Sequence, residues 1–215
     1  MRLAIFDLDG TLTRHDTLAP YVLGFLLRRR VWRFPALLLV LPALFGYALG
    51  RLDRGELKSA FIRAALGGCT REELDSWTTV FIDHLLAHGL FPSALAAIAA
   101  HLRAGDHLVL LTASPDLYAP AIAHALGFRE VICTGVRWDG ERLRGTLITP
   151  NRRGEEKARC LEALRARHPG IEAVAYGNAT SDLPHLKLVE RGVLVNASAA
   201  ARREAVRQGI GCADW

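Results

Sequence analysis

Two carboxylates, Asp7 and Asp9, stand one residue apart where the apolar run Ala4-Ile5-Phe6 ends, and Gly10 and Thr11 follow at once. Alternation along an extended chain points both acids the same way. Gly10 permits a sharp turn that lets backbone amides and the Thr11 hydroxyl face an anion. Carboxylates crowded like this are costly unless a hard divalent cation lies between them, and Mg²⁺ beside a phosphate suits such an oxygen-rich set. The chemistry expected at this strand tip is phosphoryl transfer.

Three later segments fall in the order such a site needs. Leu108-Val109-Leu110-Leu111 ends in Thr112-Ala113-Ser114-Pro115, a second buried strand with hydroxyls and amides at its tip. Lys157 follows in Gly154-Glu155-Glu156-Lys157 at the start of a helix, with Arg152 and Arg153 near enough to be rival bases. Ala173-Val174-Ala175-Tyr176 then runs into the polar turn Gly177-Asn178-Ala179-Thr180-Ser181-Asp182.

Together the four segments resemble the haloacid dehalogenase superfamily of phosphohydrolases. The resemblance implies Asp7 as nucleophile, Asp9 as general acid and base, and Thr112, Ala113 and Lys157 on the phosphate beside Gly10 and Thr11. It places Mg²⁺ on Asp7, the backbone carbonyl of Asp9, Asn178 and Asp182. One departure stands out: the family's fourth motif usually begins Gly-Asp, whereas Gly177 is followed here by Asn178. An amide oxygen still coordinates Mg²⁺ but brings no charge, so Asp182 is expected to carry more of the metal. A protein that only binds phosphorylated ligands is the alternative this departure leaves open.

The elements around these residues follow from period and punctuation. Strand patterns run over Arg2 to Phe6, Leu108 to Leu111, Glu130 to Cys133, Ala173 to Tyr176 and Val193 to Asn196. Helical ones run over Ser93 to Arg103, Leu117 to Leu126 and Glu156 to Arg167, and Val136 to Leu143 reads as a hairpin around Asp139-Gly140. Alternating β and α elements predict an α/β fold, a Rossmann-like parallel sheet with helices on both faces and its site at the strands' C-terminal ends.

The stretch from 16 to 91 has helical but no strand signals. In the superfamily an insertion there is a helical cap, as in phosphoserine phosphatase, so the expected division is a core of 1–15 and 92–215 with a cap of 16–91. Asp16 falls where that branch has an acid for the substrate amine, and Arg63 is a candidate for a substrate's acidic group. Phosphoserine or histidinol phosphate, amino-bearing and soluble, are thus one substrate class.

Another class comes from Phe34 to Gly50, uncharged and almost wholly apolar, with Arg28, Arg29, Arg30 and Arg33 before it and Arg51 and Arg54 after. Basic residues around an apolar patch suit an anionic membrane surface, here through 28–54. The pattern also looks like bacterial phosphatidylglycerophosphatases of the same superfamily, which implies a lipid phosphate. A buried helix pair and a membrane span are the other readings of the segment; it is short of the about 20 residues a span needs, and Pro42 would kink it.

Composition sets the frame. The chain has 215 residues, is 51% hydrophobic and carries a formal net charge of +5, which fits a packed domain and excludes disorder. Cys69, Cys133, Cys160 and Cys212 show no metal-binding spacing. Thiols without pairing and a first strand at the very start point to a cytoplasmic protein, peripheral on the inner face of the cell membrane if the lipid reading holds. No nucleic-acid module accompanies the positive charge, and no protein partner is implied.

Overall fold

The computed structural model describes residues 1–215. Its centre is β1 (Leu3–Phe6), which pairs in parallel with β2 (His107–Pro115) on one side and β6 (Ala173–Gly177) on the other. With β3 (Glu130–Thr134), β7 (Arg191–Val195) and β8 (Gly211–Ala213) the sheet runs β3-β2-β1-β6-β7-β8, parallel throughout.

Each central strand reads as a continuous apolar run because both faces are covered. Ala4, Phe6, Leu108 and Leu110 enter the core of one face, while Leu3, Ile5, Val109 and Leu111 enter that of the other. On the second face lie α7 (Glu155–Arg167), the short α8 (Leu183–Leu186) and α9 (Ala199–Arg207). The first carries α5 (Pro92–Arg103) and α6 (Ala119–Ala125). The expected hairpin is present as β4 (Val136–Asp139) and β5 (Arg142–Leu147).

Between β1 and β2 the chain is helical, as its pattern predicts: α1 (Leu18–Arg29), a 3₁₀ helix Val31–Val40, α2 (Leu41–Ala48), α3 (Arg54–Leu66) and α4 (Arg71–His88). Capping boxes start α3 and α4: Glu56 and Glu73 reach back to the amides of Asp53 and Thr70 at 2.7 and 2.9 Å. Tyr21, Phe25, Trp77 and Phe81 pack α1 against α4.

The segment from Val31 to Ala48 breaks the pattern. None of its residues is buried, and Trp32, Leu38, Leu39, Leu41 and Phe45 are each more than half exposed. It is therefore not a buried helix pair. Nor is it one straight helix, since the chain changes from 3₁₀ to α geometry at Leu41. Pro42 stands in the first turn of α2, where a missing N–H costs no hydrogen bond.

Phe6 is the last residue of β1, fully buried and stacked on Tyr176 with ring centroids 4.6 Å apart. Phe6→Ala is expected to cost about 3–5 kcal/mol, read from the midpoint of urea unfolding, and to lower activity by loosening the residue that follows.

Candidate active site

The C-terminal ends of β1, β2 and β6 meet where strand order departs from sequence order, the crevice in which open α/β sheets bind ligands. A cavity of about 550 Å³ opens there, lined on the sheet side by Asp7, Asp9, Ala113, Ser114, Lys157, Asn178 and Asp182. From the helical segment it receives Asp16, Val40, Leu44, Tyr47, Arg54, Leu57, Lys58 and Phe61.

Lys157 is the buried hub. Its Nζ lies 2.7 Å from Asp7 Oδ1 and 2.7 Å from Asp182 Oδ1, and so it, rather than Arg152 or Arg153, is the base between the two acids. Arg152 pairs with Glu156, and Arg153 lies on the cavity wall. Burial pushes Asp7 up to about 7, aided by the Asp182 charge and opposed by Lys157. Burial works against the Asp182 charge too, but the ammonium outweighs it and brings that carboxyl down to about 2. The other Asp182 oxygen accepts from the amides of Asn178 (3.1 Å) and Ala179 (3.0 Å). Beneath the pair His185 is fully buried, and burial with the nearby Lys157 charge takes it down to about 3, so it stays neutral.

Asp9 sits in a different environment. Its carboxylate accepts from the Thr17 amide (2.8 Å), the Thr17 hydroxyl (2.7 Å) and the Ser114 hydroxyl (2.6 Å). Burial and the Asp16 charge raise it above the ordinary carboxylate range.

Several expectations are corrected by this geometry. The amides of Thr11, Leu12 and Thr13 close onto the Leu8 carbonyl rather than facing an anion. Thr11 is fully buried, with its hydroxyl 3.5 Å from Asp7 Oδ2. Gly10 does not line the cavity, yet its φ of +76° makes the turn, and a Cβ there would fall 1.9 Å from the Asn178 amide nitrogen. Thr112 is also fully buried, its Oγ1 accepting from the Ser114 amide at 3.1 Å, so Ala113 and Ser114 form the wall at this strand. Arg63 faces a separate depression with Gly67, Gly68 and Arg142. Asp16 does line the cavity, while its Oδ1 accepts from the Leu18 amide at 3.0 Å.

Two cations line the cavity from the helical segment, Arg54, which donates to the Tyr47 hydroxyl, and Lys58, which reaches the tip of β2. Its Nζ donates to the Ala113 carbonyl (2.6 Å) and to Asn151 Oδ1 (2.7 Å), and burial lowers it to about 8. A signal for it exists in the sequence: Arg54, Leu57, Lys58 and Phe61 share one helical face at i, i+3, i+4 and i+7.

Comparison with known proteins agrees with the geometry. The haloacid dehalogenase-like hydrolase family matches residues 4–187. The chain belongs to that family. Its fold is shared by a Bordetella pertussis protein of unknown function, at TM-score 0.82 and 26% identity over 99% of this chain and 98% of that one. A phosphoserine phosphatase solved as a phospho-aspartyl intermediate analogue has the same fold at TM-score 0.66 and 16% identity, with 98% and 92% covered. Among sequence relatives, Protein CicA of Caulobacter vibrioides is 33% identical over 87% of this chain and 83% of its own. The histidinol-phosphatase of Neisseria meningitidis is 24% identical, with 96% of each covered. As a hydrolase of this family it has a histidinol-phosphatase and a phosphoserine phosphatase among the proteins it resembles in sequence.

Gly10→Ala tests the turn, because it meets both left-handed strain and the Asn178 amide. At least a tenfold loss of phosphatase activity is expected with a far-ultraviolet circular dichroism spectrum unchanged.

Proposed function

We propose that the protein is a Mg²⁺-dependent phosphomonoester hydrolase working through an aspartyl-phosphate, with 1–15 and 92–215 as its core and 16–91 as a cap over the site. Asp7 attacks phosphorus while Asp9, whose proton affinity is raised by burial, gives a proton to the leaving oxygen. Asp9 then takes a proton from the water that hydrolyses the intermediate. Lys157 orients Asp7 and neutralises phosphoryl charge from one side, and Lys58 faces the site from the other.

The donors present fit Mg²⁺. Asp7, the Asp9 carbonyl and the Asn178 amide oxygen form an all-oxygen set with one full charge, and the buried Asp7 lacks enough positive charge to hold its pKa down. The ion would supply charge neutralisation at the phosphoryl group. Asp182, with both oxygens engaged, contributes by fixing Lys157 and the Asn178 turn rather than by sole ligation.

The substrate reading supported best is an amphiphilic phosphomonoester at an anionic membrane surface, such as phosphatidylglycerophosphate, with the enzyme peripheral on the inner face of the cell membrane. One observation carries it. Val40, Leu44 and Tyr47 line the cavity above Asp7, while Leu38, Leu39, Leu41 and Phe45 on the same segment are bare to solvent. An apolar path thus joins the phosphate site to the outside. Of the nearby arginines, Arg30 is paired with Glu73 and Arg33 donates to the Gly67 carbonyl, leaving Arg28, Arg29 and Arg51 exposed for anionic lipid. The second reading, a small amino-bearing phosphomonoester, is favoured by Asp16 in the cavity wall and by the full-length likeness to a histidinol-phosphatase.

Asp7→Asn is expected to abolish turnover with the fold intact, and Asp9→Asn to lower it about 10²–10⁴-fold; near-normal rates in either folded variant would remove that residue from its role. Asn178→Asp should lower the Mg²⁺ concentration for half-maximal activity by restoring a charge beside the cation.

Co-sedimentation with anionic and neutral vesicles separates the substrate readings. Binding to anionic vesicles, weakened by salt and by joint replacement of Arg28, Arg29 and Arg51 with Gln, is expected at roughly 1 kcal/mol per arginine. No sedimentation at any salt, with rapid hydrolysis of histidinol phosphate or phosphoserine, would establish the soluble substrate instead.

A further inference from the structure

At the end of the sheet opposite the catalytic crevice, three residues from three elements converge without any role in the reaction described above. His107 is the first residue of β2 and Glu130 the first of β3. Val109 pairs with Glu130, so His107, two residues before Val109, points to the same face as Glu130. That face is covered by α7, whose Leu161 and Leu164 pack with Val109 and Leu111. The helix ends at His168, which brings a second imidazole over the two strand starts, with ring centroids 5.1 Å apart.

We propose that His107, Glu130 and His168 form a binding site for a borderline transition-metal ion, Zn²⁺ or one of similar chemistry. Ligand atoms of all three lie within 4.8 Å of one another. Four-coordinate Zn²⁺ with bonds near 2.0–2.1 Å needs such atoms roughly 3.4 Å apart, a change that small side-chain rotations supply. His107 Nε2 is buried and has no hydrogen-bond partner, and Glu130 Oε2, the nearest carboxylate oxygen, lies 3.7 Å away. An orphaned imidazole nitrogen of this kind is costly, and a metal ion satisfies it. Arg167 donates to the other Glu130 oxygen, Oε1, which orients the carboxylate and leaves Oε2 toward the imidazoles. Two neutral imidazoles and one carboxylate suit Zn²⁺ and leave a position for water, whereas Mg²⁺ prefers oxygen ligands throughout.

The site is distinct from the catalytic one. His107 pairs with Leu3, and Asp7 is four residues further along the chain, just past the end of β1, about 13 Å at the rise of a strand. A bound ion would fasten the edge strand β3 and the end of α7 to β2.

The test uses full-length protein without a histidine tag, dialysed against chelator, with Co²⁺ and Zn²⁺ as probes. Expected are one equivalent of Co²⁺ giving the visible absorption of a low-symmetry imidazole site, its displacement by Zn²⁺, and a Zn²⁺-dependent rise of several degrees in Tm. His107→Gln and His168→Gln should each abolish the absorption and the rise, and both remain testable because their metal-free circular dichroism reports folding. Asp7→Asn should leave both signals intact, which separates this site from Mg²⁺ binding and from the catalytic reading. No Co²⁺ absorption in the wild type, its persistence in both histidine variants, or its loss in Asp7→Asn would overturn the proposal.

Discussion

The grip of Lys157 on Asp7 and Asp182 is the constraint around which the catalytic end of the protein is arranged. Three charged groups in so dry a space are tolerable only because the ammonium lies between the carboxylates at hydrogen-bonding distance from each. Loss of one partner from a buried pair of this kind costs about 3–5 kcal/mol, since a bare charge is left behind. The three belong to β1, α7 and the turn after β6, so a single interaction fixes the relative height of three elements. With Asp7 ionised its net charge is one unit negative, which keeps the crevice receptive to a cation without repelling a phosphate outright.

How much of this was legible in the sequence depended on whether the signal was local. Continuous apolar runs mark β1, β2 and β6 because both faces of these parallel strands are covered, and the half-buried edge strand β3 carries a shorter one. The strand β8, only Gly211–Ala213 at the sheet edge, has no such run and went unread, as did the polar α9. Asp7, Asp9 and Asp182 were readable because their chemistry is packed into short segments that follow strands, and Lys157 because it opens a helix between them. Thr11 and Thr112 have the right chemistry but are turned inward, their neighbouring amides already committed to local turns. Arg63 and Lys58 lie on the same helix, and only the tertiary packing of α3 shows which of them reaches the crevice.

The segment Val31–Ala48 shows the same limit from the other side. Composition alone allowed it to be core, surface or span, for an apolar run says that water is unwelcome and not what replaces it. The structure removes the first option: Phe34 and Leu37 lean on the core built by Tyr21, Phe25, Trp77 and Phe81, but no residue of the segment is buried in it. An exposed apolar patch of that sort marks a surface meant to meet something.

The central position of β1 also has a bearing on how the protein is made. Its partners begin at His107 and Ala173, so β1 must wait for the synthesis of more than 160 further residues before both its edges are paired. Long-range parallel pairing is slow, and a strand as apolar as Leu3–Phe6 is prone to wrong partners in the interval. The helices from Leu18 to His88 are synthesised next and form from local contacts. They give the nascent chain an early folded body while the sheet is still incomplete, and a chain cut short before Asp182 would carry Asp7 but never the full set of charges that surrounds it.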